Sequence, residues 1–137
     1  MATFYGDKYT DAFVSVPRAN VDAADAVGRV RAIFDVYEAT GEAIASVLNM
    51  GGAKVPKGAR IIEAWLDFDA LGASSTLALS SGAKSLIAAT STSSAGRVKA
   101  TLGLLDYTAA AEETISILTA GGTITGTVTA CVIFLLD

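Results

Sequence analysis

Residues 114–136 contain no charged side chain, so whatever this chain folds into has to bury or cover that stretch. It is close to the ~20 apolar residues that a membrane-spanning helix needs. Its periodicity points elsewhere. Thr123, Thr125, Thr127 and Thr129 alternate with Ile124, Gly126, Val128 and Ala130, and Gly121-Gly122 interrupts the run. A repeat of two belongs to a strand, whose side chains point alternately to opposite faces, and adjacent glycines mark the turn that precedes it. Cys131, Val132, Ile133, Phe134, Leu135 and Leu136 are apolar at both parities, which calls for a central strand, a buried edge or an oligomer interface that includes Phe134.

The same alternation recurs along the chain. Val30, Ala32, Phe34 and Val36 share one parity, with Arg29, Arg31, Asp35 and Tyr37 on the other, which reads as a half-buried strand. The clearest strand covers residues 60–69, where Ile62, Ala64, Leu66 and Phe68 oppose Glu63, Trp65, Asp67 and Asp69. Further strands are expected at 42–48, 76–80, 85–90, 97–105, 114–118 and 123–136, joined by Gly, Ser and Thr-rich connectors, with Gly51-Gly52-Ala53-Lys54 as a loop. One short helix is expected over residues 21–27, capped by Asn20 and closed by Gly28, with Asp22 and Asp25 in its early turns. Residues 1–17 have no sustained period. They space Phe4, Tyr5, Tyr9 and Phe13 among Gly and charged residues, as an arm that needs a surface to lie on.

About eight strands with almost no helix, in a chain of single-domain length, predict an all-β sandwich. The expected form is jelly-roll-like, two packed antiparallel sheets over residues 29–137, preceded by an extended N-terminal arm with the short helix over 1–28. A closed eight-stranded barrel is the alternative architecture.

Hydrophobic residues make up 52% of the chain against 18% charged, which leaves little polar material for a fully solvated surface, so some apolar surface is expected to meet a partner. Ten Lys and Arg are dispersed in a chain of net charge −4, so there is no electrostatic footprint for nucleic acid. The lone Cys131 forms no intramolecular disulfide and reads as a small core hydrophobe. The first residues lack the basic and apolar regions of a signal peptide, and the protein is expected to stay in the cell that makes it.

With no histidine, the commonest general base and transition-metal ligand are both missing, and the usual serine and cysteine triads cannot be built. No phosphate-binding loop of the Gly-x-x-x-x-Gly-Lys-Ser/Thr form occurs. Glu63, Asp67 and Asp69 lie at one parity, an arrangement able to bind calcium or act as an acid/base pair, yet no neighbouring loop supplies the six or more oxygens that calcium takes. A solvent-facing strand explains them better. No catalytic, cofactor-binding or metal residue is therefore assigned, and no cofactor is expected. Trp65, a large aromatic among those carboxylates, needs cover from its own chain or from another subunit.

One order of features carries a resemblance: Tyr37-Glu38-Ala39-Thr40 in a strand; then Lys54-Val55-Pro56-Lys57-Gly58-Ala59-Arg60-Ile61-Ile62-Glu63; then Asp69-Ala70-Leu71-Gly72-Ala73-Ser74-Ser75-Thr76-Leu77-Ala78-Leu79. From Gly28 onward, about four-fifths of the chain, this resembles small virion proteins of tailed bacteriophages, of the head-decoration or cement type. The turn at Pro56 and Gly58 is itself a general way into a strand. The resemblance implies a β-sandwich that sits on an icosahedral head, assembled in the host cytoplasm, and bridges major-capsid subunits as a homo-oligomer, a dimer or trimer. It implies no enzyme activity and carries over no catalytic residues.

Phe4, Tyr5, Tyr9, Phe13, Trp65 and Phe134 are the interface candidates. A tail, neck or head-fibre component shares the same composition. A carbohydrate or small-ligand binding module is the reading from another class, since jelly rolls serve as lectins too, although Asn occurs only at Asn20 and Asn49 and Trp65 is the sole tryptophan. Neither a nucleic acid nor a membrane is expected as partner.

Overall fold

The computed structural model describes residues 2–6, 9–14, 30–100 and 107–136. The expected helix over 21–27 and the far end of the strand expected at 97–105 lie outside the described residues. The rest forms nine strands and one π-helical turn (Thr10–Val14). The strands are β1 (Thr3–Tyr5), β2 (Val30–Glu42), β3 (Val47–Val55), β4 (Arg60–Phe68), β5 (Thr76–Ser81), β6 (Lys84–Ser91), β7 (Gly96–Lys99), β8 (Glu113–Ala120) and β9 (Ile124–Leu135). They make a five-stranded sheet in the order β1-β3-β8-β5-β6 and a four-stranded sheet in the order β2-β9-β4-β7.

This is an all-β sandwich, as the alternation predicts, with one strand more than expected and one pairing of unexpected sense. The extra strand, β1, comes from the N-terminal arm and pairs with β3 in parallel. All other pairings are antiparallel.

The core lies between the sheets. From the four-stranded sheet it takes Ile33, Ala39, Ile61, Ala64, Leu66, Phe68, Val128, Ala130, Val132 and Phe134. The five-stranded sheet contributes Leu48, Met50, Leu77, Leu79, Leu86, Ile87, Ile115 and Ile117. Register explains the match. Ile33, Val132 and Ala64 sit side by side across β2, β9 and β4, and Leu48, Ile117 and Leu79 across β3, β8 and β5, so these two inner rows are rows of hydrocarbon. The charge-free stretch is two strands, β8 and β9, separated by a turn at Gly121-Gly122.

Four expectations are corrected. The strand expected at 42–48 does not exist as one element: β2 ends at Glu42, residues 43–46 cross from one sheet to the other, and β3 begins at Val47. Gly51-Gly52-Ala53-Lys54 belongs to β3, in a wide register shift between Met50 and Val55, and is not a free loop. Gly51 has φ +98°, and a Cβ there would stand 2.6 Å from the Ile33 methyl, so this bend requires glycine.

The third correction concerns which parity of β2 faces inward. Ile33 and Asp35 are buried, whereas Val30 is 58% and Phe34 47% exposed. On β4 a bulge between Ile61 and Glu63 makes Ile61, and not Ile62, the first core residue, while Ala64, Leu66 and Phe68 face inward as expected.

Leu66 is fully buried at the middle of the inner row. Leu66→Ala is expected to cost about 2–5 kcal/mol of folding stability through lost transfer energy and the cavity left behind, read as a lower midpoint in urea unfolding at unchanged slope.

Candidate interaction surface

The outer face of the four-stranded sheet is built by strand register. Its rows across β2, β9, β4 and β7 are Phe34, Cys131, Trp65 and Lys99, then Val36, Thr129, Asp67 and Arg97. Toward the far end lie Ala32, Ile133 and Glu63, and then Val30, Leu135 and Arg60. From Val30 to Val36 the β2 side of this face is therefore hydrocarbon, with Glu38 beyond it, and the β4 and β7 side is charged.

Four of those charges, Arg97, Asp67, Lys99 and Glu63, are paired within the chain. Arg97 donates through Nε to Asp67 Oδ1 at 2.5 Å and through Nη2 to Oδ2 at 2.7 Å, a bidentate pair, while Lys99 Nζ stands 3.8 Å from Glu63. The Arg97 guanidinium also lies 5.7 Å from the Trp65 ring centroid, so the indole is half-covered by its own sheet. Asp69 accepts the Thr127 amide at 3.0 Å. The three carboxylates singled out in the sequence are thus each engaged by a cation or an amide. Among the described residues no group of three or more His, Cys, Asp or Glu converges as a metal site.

The N-terminal residues form a second surface. β1 lies along β3 with Thr3, Phe4 and Tyr5 opposite Val47, Leu48 and Asn49, and Val47 N donates to Ala2 O at 3.0 Å and Gly6 N to Asn49 O at 2.8 Å. Phe4 meets Tyr37 with ring centroids 6.3 Å apart, Tyr5 stacks on Tyr9 at 5.3 Å, and Tyr9 meets Phe13 at 4.9 Å. Lys54 Nζ stands 5.0 Å from the Phe13 ring centroid. The arm's aromatics are packed on their own domain, with Tyr5 still 40% exposed.

Beneath the arm lies Asp35, 2% exposed. Its Oδ2 accepts Gly51 N at 2.9 Å and Tyr9 N at 3.4 Å, and its Oδ1 accepts Val36 N at 2.8 Å. A buried carboxylate is tolerated because backbone amides solvate it in place of water. Gly6 is buried against it, and a Cβ at that position would fall 2.0 Å from Asp35 Oδ2.

The structure brings together Phe4, Tyr5, Tyr9 and Phe13 at one edge and places Trp65 on the outer face of the other sheet. Phe134, at 3% exposure, turns into the core and offers no surface. Sequence reasoning missed Asp35 as the anchor of the arm, and Val30 and Phe34 as exposed apolar residues. The available signal was that β2 is apolar at both parities, with Ile33 between Ala32 and Phe34.

No known protein family and no curated protein matches this sequence. Among solved structures, a chain of the capsid of Ralstonia phage GP4 superposes with TM-score 0.70 at 19% identity, covering 99% of this chain and 99% of that one. A chain of the cyanophage Pam1 capsid asymmetric unit superposes with TM-score 0.64 at 22% identity, covering 90% of this chain and 96% of that one. At such identities the likeness is one of fold.

Two outcomes are expected from these contacts. The hydrogen bonds from Arg97 hold the Asp67 carboxyl below its ordinary 3.8, outweighing the opposing effect of burial. The pair's contribution is therefore in place above the ordinary value and is lost as pH falls through the lowered one. A carboxyl-carbon NMR titration should give Asp67 a midpoint below 3.8 that rises toward it in Arg97→Ala. Gly6→Ala should loosen the arm and leave the sandwich standing, seen as faster proteolytic cleavage in the first fourteen residues with an unchanged far-UV spectrum.

Proposed function

We propose that this chain is a structural protein of a bacteriophage particle and, within it, a decoration or cement protein that sits on the head and bridges major-capsid subunits. The observation that carries the reading is the fold correspondence along whole chains: 99% of this chain and 99% of the GP4 capsid chain superpose.

The strand orders support a jelly-roll reading of the sandwich. Leaving β1 aside, β2-β9-β4-β7 and β3-β8-β5-β6 interleave the eight strands between two sheets as two Greek keys do. In this reading residues 1–28 are an appendage to a sandwich of residues 29–137, and Phe4, Tyr5, Tyr9, Phe13 and Trp65 remain contact residues.

Magnitudes favour attachment through many weak contacts. Four strands ~4.8 Å apart and about seven residues long at ~3.3 Å each present roughly 400 Å² on the outer face. Covering it on both partners buries roughly 800 Å² in total, below the ~1,200 Å² at which stable pairs begin. One such contact is weak. Repeated by symmetry over a shell, and shared by copies gathered as a dimer or trimer, it holds. Internal pairing of Arg97 with Asp67 and of Lys99 with Glu63 lets these four charges approach a partner already neutralised.

Purified protein mixed with heads that lack it should sediment with them and raise the temperature at which they release DNA, and Trp65→Ala together with Phe34→Ser should weaken both effects. Protein that stays in the supernatant at saturating concentration would defeat the decoration reading, and binding confined to tails or necks would move the chain to another part of the particle.

A further inference from the structure

We propose that in the assembled particle the groove along β3 of each copy is filled by residues 2–6 and 9–14 of a neighbouring copy, so that the N-terminal segment is a strand exchanged between subunits. The inference rests on the decoration reading for the crowding that brings copies side by side.

The groove is a receptor built for one segment. The β3 edge supplies the parallel backbone pairing with residues 2–6. Asp35 supplies a buried carboxylate that accepts the Tyr9 amide, and it leaves no room for any side chain at position 6. Tyr37 and Lys54 supply the contacts for Phe4 and Phe13. Specificity is therefore for this chain's own sequence, which makes a second copy the natural alternative source of the segment.

None of these contacts depends on the segment and the groove being in the same molecule. Residues 15–29 join Val14 to β2, a length of chain that spans at most about 50 Å when extended. A domain of this size is roughly 35–40 Å across, so the segment of one copy is long enough to reach the groove of the next. Exchange replaces each contact by an identical one, and the balance is set by concentration alone. A short tether holds its own segment at an effective concentration in the millimolar range, and neighbours fixed on an ordered surface meet that figure. β1 contributes only three residues to its sheet and so opens more readily than the strands inside it. An emptied groove, in contrast, leaves Asp35 short of an amide and the β3 edge bare, which drives it to be refilled.

The register supplies the test. Thr3 lies opposite Val47, so cysteines at these positions can join only when β1 is docked. In a Cys131→Ala background, Thr3→Cys and Val47→Cys are made as separate proteins, mixed in equal amounts, bound to heads, and oxidised; a parallel sample is oxidised in concentrated solution. Neither variant can form this bond within one chain. Exchange predicts a covalent dimer of the two variants on non-reducing gels, far above the background of Thr3→Cys mixed with Ser93→Cys, a position in the bend between β6 and β7. A yield at background in both samples would overturn it, with the segment then lying on its own molecule or on a different protein. Sedimentation of the same mixtures with heads reports separately on the decoration reading.

Discussion

β9 is held on both edges, by β2 over nearly its whole length and by β4 over most of it, and the four-stranded sheet exists because of that double commitment. A strand in this position has no free backbone groups to offer water and must be apolar wherever it faces the core. Val128, Ala130, Val132 and Phe134 meet that demand on the inside. Cys131, Ile133 and Leu135 extend it to the outside. The pairing brings Val30 opposite Leu135, joining the two ends of the sandwich across most of the sequence. Loop closure over that distance has to precede the reward, so folding is governed by non-local pairing.

With so few charged residues, how each polar group is satisfied matters more than how many there are. Glu42, buried at the end of β2, accepts the Tyr37 hydroxyl at 2.8 Å and the Thr40 amide at 2.8 Å. Burial, then the hydrogen bond and charge of Glu42, push the Tyr37 hydroxyl well above its ordinary value. At the other end of the molecule the Tyr107 hydroxyl donates to Glu113, which also accepts from Ser81, and burial followed by Glu113 pushes Tyr107 up to about 12. Glu42 and Glu113 are thus held by named donors where strands end, and Asp35, within β2, holds the arm and the glycine bend of β3 in the same way. They fasten the loops that a purely hydrocarbon sandwich would leave loose.

The two outer faces differ in kind. On the five-stranded sheet, Val47, Asn49, Ser116, Leu118, Ala78 and Ser80 form a low, uncharged surface. On the four-stranded sheet, exposed hydrocarbon on β2 adjoins ion pairs already closed among β4 and β7. A protein meant to stay single in solution covers such a strip or breaks it with charge; a protein meant to be one of many neighbours on a surface gains by leaving it open.

Alternation alone was enough to place β4, β5, β6, β8 and β9 to within a few residues and to make the molecule an all-β sandwich, because a two-residue period is a local property that any one segment displays by itself. It also showed that Trp65 stands on a polar row and that the early aromatics need cover. What it could not decide was side and partner. β2 is apolar at both parities, and only its pairing with β9 turns Ile33 and Asp35 inward and Phe34 outward. The bulge that brings Ile61 into the core, the glycine bend within β3 and the amides gathered on Asp35 all depend on residues distant in sequence. Period is written in the chain, whereas inside and outside are relations between strands, and those exist only once the sheets have met.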